Sequence, residues 1–279
     1  MLTASFIFAK GMNEEMERAL WQRGITSWEL ARTHADEVSE VMGGGRSVRL
    51  LEALNEAEQA RLTQDHAWFK ANWPERESWR LWTGLCASDR VAFVDIETTG
   101  LTPGYDQITV IGLADGSSQR AFVAGRPQAG DEPLDAFRDA IRAYKLVITF
   151  NGTGFDVPFI EKHFRDANFR FDMPHLDLLQ PARSLGLIGG LKDMEKQLGI
   201  ARDAEIAGMR GMEAIQLWGA WKNGDLAAYR KLTTYCKADC ANLHAFADHV
   251  YRRKWEKAYA PFAREVDFAA IKGQQTTLF

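Results

Sequence analysis

Apolar residues recur three and four positions apart in MNEEMERALWQRG (12–24) and RLLEALNEAEQARLTQDHAWF (49–69). That spacing places them on one side of a helix, so residues 1–85 read as helical. Glycines 43–45 interrupt the pattern and predict a loop between the two stretches. Past residue 90 the period changes. RVAFVDIE (90–97) is an apolar, β-branched run of the kind expected in a buried strand. QITVIGLADG (107–116) and SSQRAFVAG (117–125), each bounded by glycine, predict two more strands in a meander. EPLDAFRDAIRAY (132–144) predicts an amphipathic helix with proline in its first turn. KLVITFN (145–151) predicts a buried strand, FDVPFIEKHFRDAN (155–168) a helix, and FRFDMPHLDLL (169–179) a last strand. From there to about residue 258 the pattern is mostly helical, with breaks at 186–190 and near Gly208, Gly211 and Gly224. Strands, helix, strand, helix, strand, helix is the order of an α/β domain with a mixed sheet. The expected organisation is a helical domain over 1–85, an α/β domain over 86–258 and a tail over 259–279.

Composition narrows the class. The chain has 279 residues, 46% of them hydrophobic and 26% charged, enough to bury a core in an ordinary soluble protein. No apolar run is long enough for a bilayer, and the N-terminus makes a poor secretory signal. The three cysteines, Cys86, Cys236 and Cys240, do not form a disulfide framework, so a reducing cytoplasm is expected and no membrane partner. Six of the nine tryptophans fall before residue 85, which predicts a helical core built on large aromatics. The net charge of −4 argues against holding nucleic acid by bulk electrostatics. Such a partner would need local basic patches, or metal ions placed at the phosphate.

The candidate chemistry lies in three segments: VDIETTGL (94–101), NGTGFDVPF (151–159) and YCKAD (235–239). Asp95 and Glu97 are two apart on a strand, so their carboxylates share a face and repel unless a cation or proton lies between them. Asp156 falls at a helix start, where a carboxylate also suits the helix dipole. Tyr235 and Asp239 are four apart on an amphipathic helix and share a side. An ionised Asp on a half-buried helix face needs a partner, and a metal shared with Asp95 and Glu97 is one. Cys236 and Cys240, also four apart, read as packing residues, because no further Cys or His completes a soft-metal site.

Together the segments resemble the three exonuclease motifs of the DEDD (DnaQ-like) superfamily of 3′–5′ exonucleases, which has a ribonuclease-H-like fold. A Tyr four residues before the last Asp, with Thr234 where the other subclass carries His, matches the tyrosine (DEDDy) subclass. LKDMEKQLGI (191–200) through YCKADCANL is also similar to the YprB-type ribonuclease-H-like domain. The resemblance implies an α/β fold with a mixed sheet flanked by helices, preceded here by the all-helical domain. It implies two Mg²⁺ or Mn²⁺ ions held by Asp95, Glu97, Asp156 and Asp239, with Tyr235 orienting the attacking water. It places Thr98, Thr99, Leu101, Asn151 and Phe155 against the terminal nucleotide. The implied activity is hydrolysis from the 3′ end of single-stranded or frayed DNA, in repair or replication. The alternatives are a 3′–5′ exoribonuclease on the same site and a non-catalytic nucleic-acid-binding adaptor.

Three flanking signals bear on partners. FAKGMNEEMERALWQRGITSWEL (8–30) is similar to a helix-hairpin-helix element, with Lys10–Asn13 as its phosphate-facing turn and Asn13 where the pattern prefers glycine. Gln275, Leu278 and Phe279 form a Gln-x-x-Leu-Phe ending that resembles a sliding-clamp-binding motif. YRRKWEK (251–257) mixes basic and aromatic residues, suited to a single strand or to a solvated helix end.

Overall fold

The computed structural model describes residues 1–262 except Ala129 and Ala207; Gln275, Leu278 and Phe279 lie outside the described residues. Two compact units emerge, one formed by Met1–Leu85 with the described residues from Tyr251 to Phe262, the other by Cys86–Val250.

The first unit is helical: α1 (Glu14–Gln22), α2 (Trp28–Thr33), α3 (Ala35–Met42), α4 (Gly44–Leu62) and α5 (His66–Asn72). Asn13 caps α1 by accepting a hydrogen bond from the Met16 amide at 2.9 Å. The glycine run breaks the helical pattern only at Gly43, whose φ of 80° ends α3; Gly44 and Gly45 already belong to α4. Trp21 and Trp28 bury their rings and keep their N–H groups bonded: Trp21 donates to the Ala4 carbonyl at 2.8 Å and Trp28 to that of Ser5 at 2.7 Å. At the centre Glu17 accepts from the Phe6 amide and pairs with the equally buried Arg80, which also bonds Glu77.

The second unit is a six-stranded mixed sheet in the order β4-β3-β2-β1-β5-β6. The strands are β1 (Val91–Thr98), β2 (Ile108–Ala114), β3 (Gln119–Val123), β4 (Glu132–Pro133), β5 (Leu146–Thr149) and β6 (His175–Asp177). β1 runs antiparallel to β2 and parallel to β5, so it is central. The stretch 132–144 is not one helix. Glu132–Pro133 pairs with β3 as an edge strand, and only Phe137–Ala140 (α6) is α-helical, between 3₁₀ turns. Proline suits such an edge because it has no N–H to donate.

Alternation along β1 divides its side chains. Ala92, Val94 and Ile96 face a core with Phe137, Ile141, Phe159 and Ile160, the last two on α7 (Asp156–His163). The opposite face of the sheet is covered by α10 (Gly211–Lys222) and by α11 (Leu226–Ala258), through Ala214, Tyr229, Leu232 and Cys236. Gly112 sits opposite Asp95 in the β1–β2 ladder. A β-carbon there would come within 2.6 Å of Cys240 Sγ and 2.9 Å of the Cys236 carbonyl oxygen and Sγ. The missing side chain therefore lets α11 lie close against the strand that carries the carboxylates.

Candidate metal centre

Asp95 and Glu97 project from the α11-facing side of β1. A bulge follows them: Glu97 pairs with Val110 but Thr98 with Ile108, so β2 carries one residue more than β1 at this point. Bulges of this kind re-aim side chains and end pairing beside functional sites. Asp156 is the first residue of α7, and Tyr235 and Asp239 lie on α11. Glu97, Asp156, Tyr235 and Asp239 are all buried. Asp95 is packed deep among protein atoms yet keeps an accessible edge, so the cluster can be reached from outside.

The carboxylates raise one another's affinity for protons. Burial and then the charges of Asp239, Asp156 and Glu97 push Asp95 well up. Burial and Asp239 do the same to Glu97, against the opposing Lys192 ammonium. Asp156 is pushed up to about 7 by burial, against backbone N–H bonds that favour its charge. Burial also raises Asp239, opposed by Arg202 and Lys192. Among the described residues no hydrogen bond or ion pair from another side chain reaches the carboxylate of Asp95 or of Glu97. Such a set holds either protons or a cation. Asp95, Glu97 and Cys236 each offer a ligand atom within 4.8 Å of the others. The donors around this point are mostly carboxylate oxygens, so the residues present fit a hard divalent cation such as Mg²⁺ or Mn²⁺. Cys236 was expected only to pack; its thiol is buried, but it also borders the cluster and donates to the Asp95 carbonyl at 3.6 Å.

The second segment owes its shape to a residue not singled out from sequence. Asp177, at the end of β6, accepts from the Asn151 amide at 2.8 Å, the Thr153 amide at 3.0 Å and the Leu179 amide at 3.0 Å. Asn151 has φ of 65°, and Gly152 is pressed so closely on Thr149 that a β-carbon would overlap its hydroxyl at 2.0 Å. This fixed turn delivers Asp156 to the start of α7. Phe155, half-buried, packs on Phe159 with ring centres 4.8 Å apart, and Asn151 is exposed. Thr98 is buried and donates to the Gly100 carbonyl at 2.5 Å, and Thr99 Oγ1 accepts from the Gln107 amide at 3.0 Å. Leu101 is 80% exposed and Tyr105 87%, so the turn after β1 presents apolar groups to solvent.

Two cations border the third segment, and neither was singled out from sequence. Lys192, on α9 (Leu191–Leu198), donates to the Tyr235 hydroxyl and lies 3.9 Å from Asp239 Oδ2. Its pKa is lowered by burial, against Asp239. Arg202 forks onto Glu195, with Nε to Oε2 at 2.5 Å and Nη2 to Oε1 at 2.7 Å, while Nη1 donates to Asp239 Oδ1. The sequence signal for Lys192 was its place in LKDMEKQLGI, just ahead of the last segment. Arg202 had none.

Two solved structures are similar at low levels. The family B DNA polymerase from the hyperthermophilic archaeon Pyrobaculum calidifontis gives a TM-score of 0.46 at 15% identity, covering 57% of this chain and 24% of the polymerase. A structure described as the apo form of a nuclease gives 0.42 at 22% identity, covering 63% of this chain and 80% of that one. The chain thus spans about a quarter of the polymerase. No curated protein matches. No helix among the described residues is long and apolar enough to cross a membrane. The family model of the RNase_H superfamily matches residues 92–251, the stretch that holds the sheet and every carboxylate of the cluster. With more than half of its length so matched, and with a six-stranded mixed sheet flanked by helices, the chain belongs to the RNase_H superfamily.

Proposed function

We propose that the protein is a metal-dependent 3′–5′ exonuclease of the tyrosine (DEDDy) subclass, acting on single-stranded or frayed DNA. The observation that carries this reading is the convergence of three buried carboxylates, Glu97, Asp156 and Asp239, with the partly accessible Asp95, beside a tyrosine whose hydroxyl is held by Lys192. Two Mg²⁺ or Mn²⁺ ions, held by these carboxylates, would supply Lewis acidity at the scissile phosphate and make water a competent nucleophile. Tyr235 would orient that water through its hydroxyl. Lys192 would fix the phenol's rotation and add positive charge where the phosphate charge grows. Water adds to phosphorus, the bond to the 3′ oxygen breaks, and that oxygen takes a proton. The products are a 5′-mononucleotide and a strand one residue shorter. Leu101 would pack on the terminal base, with Thr98, Thr99, Asn151 and Phe155 lining its approach. The Gln275, Leu278 and Phe279 ending would tether the enzyme to a sliding clamp, which favours DNA over RNA.

The test is a set of matched 3′-labelled and 5′-labelled DNA and RNA oligonucleotides with Mg²⁺ or Mn²⁺. Metal-dependent stepwise shortening from the 3′ end of DNA is expected, and Asp95→Ala should abolish it. Preferential shortening of RNA would move the substrate to the exoribonuclease reading. No shortening of either by the wild-type protein would leave only the adaptor.

A further inference from the structure

We propose that Arg202, locked by Glu195, is a positioning residue that aims the Asp239 carboxylate at the metal. The inference rests on the metal-dependent reading of this carboxylate cluster. Arg202 and Asp239 are 37 residues apart, yet both side chains are only 6% exposed and meet through Nη1 and Oδ1. The guanidinium uses two of its nitrogens, along one edge, on Glu195 and leaves the third for Asp239. A planar fork with three of its donors engaged cannot rotate, so it fixes the plane of the carboxylate it touches. Asp239 Oδ1 is thereby occupied, and Oδ2, 3.9 Å from Lys192 Nζ, takes no part in the fork.

Charge explains why Glu195 is part of the device. A lone guanidinium against a metal ligand would repel the ion that the ligand is meant to hold. Glu195, 1% exposed, cancels that charge and leaves Arg202 acting as an almost neutral donor. Asn242, three residues after Asp239 on α11, donates to Glu195 Oε1 at 3.2 Å and to the Ala201 carbonyl at 3.4 Å. The Glu195–Arg202 pair is therefore anchored to the helix that carries Asp239. Outer-shell partners of this kind typically tune metal affinity or activity 10–100-fold, roughly.

A purely structural ion pair makes a different prediction, and the experiment separates the two. Mn²⁺ binding to the full-length protein is measured by calorimetry and by electron paramagnetic resonance, for the wild type, Glu195→Gln, Arg202→Lys and the double variant Glu195→Met with Arg202→Met. Thermal unfolding in EDTA reports the fold, and kcat and KM on a 3′-labelled oligonucleotide are taken at saturating Mn²⁺. Glu195→Gln keeps the shape but leaves the arginine charge uncancelled. It should raise the Mn²⁺ dissociation constant about 10–100-fold with KM for the oligonucleotide unchanged. The double variant should melt as a folded protein and show the same weakened Mn²⁺ binding. Arg202→Lys, with one nitrogen to share, should fall between. Variants that bind Mn²⁺ as tightly as the wild type, or more tightly, while losing only thermal stability would overturn the proposal and leave the exonuclease reading intact. A wild-type protein that binds no Mn²⁺ would overturn both.

Discussion

Lys192 Nζ lies 4.1 Å from the centre of the Tyr235 ring and donates to the hydroxyl of the same residue. One side chain thus holds the tip of the phenol. α9 and α11 meet at this contact, and the tyrosine ring is further enclosed by Ile206 and Met209.

A phenol held for orientation should matter to turnover and little to metal binding. Tyr235→Phe is expected to lower kcat about 10²–10⁴-fold, with Mn²⁺ affinity nearly unchanged in calorimetry. Lys192→Met should lower kcat in the same range and, by removing an ammonium 3.9 Å from Asp239 Oδ2, tighten Mn²⁺ binding. The double variant should lose less kcat than the two single losses combined, because the two side chains share the hydroxyl contact. Strict additivity in the cycle would separate their roles.

The raised carboxylates set a pH dependence. Asp156 releases its proton near 3.8 in the unfolded chain and near 7 in the folded, metal-free protein. Between those values the folded state binds more protons, so metal-free stability should fall as pH rises from about 4 to 7. Asp95, Glu97 and Asp239, shifted the same way, steepen the fall. Mn²⁺ competes with those protons, so the stabilisation it adds should grow over the same window. Melting curves in EDTA and in Mn²⁺ measure both, and Asp156→Asn should flatten the EDTA series. Stability rising with pH in EDTA would contradict the assignment.

Asp177 organises the turn before Asp156 with three amide hydrogen bonds. Asp177→Ala should cost roughly 1–3 kcal/mol in denaturant unfolding and lower kcat by letting Asp156 drift. Asp177→Asn keeps one acceptor and should lose less on both measures.

Gly112 keeps α11 against β1. Gly112→Ala places a methyl on Cys240 Sγ and the Cys236 backbone, so it should destabilise by about 1–3 kcal/mol and weaken Mn²⁺ binding as Asp239 is pushed from Asp95. Adding Cys240→Ala removes one of the three close approaches and should recover part of each loss.

Much of this arrangement is legible in the chain because it obeys short periods. Asp95 and Glu97 share a face through the period of a strand, Tyr235 and Asp239 through that of a helix, and Asp156 stands at a helix start. β1 to β3 and β5 could be read from apolar runs for the same reason. What escaped depends on folding at a distance. Lys192 meets Tyr235 across 43 positions, and Asp177 meets Asn151 across 26; no local pattern encodes such pairs. The segment 132–144 has the apolar spacing of a helix, but the free edge of β3 captures its first two residues and shortens it. Cys236 has the spacing of a core residue and is one, yet the same spacing carries its thiol to the rim of the acidic cluster.

The central position of β1 has a consequence for how the site fails. A strand bonded on both sides exchanges its amide protons only when the sheet itself comes apart. Asp95 and Glu97 therefore sit in the slowest-opening part of the unit. Lys192 and Arg202 belong instead to a short helix and the turn after it, which can open alone. Under mild denaturation the protein should lose the groups that tune the cluster well before it loses the carboxylates at its base.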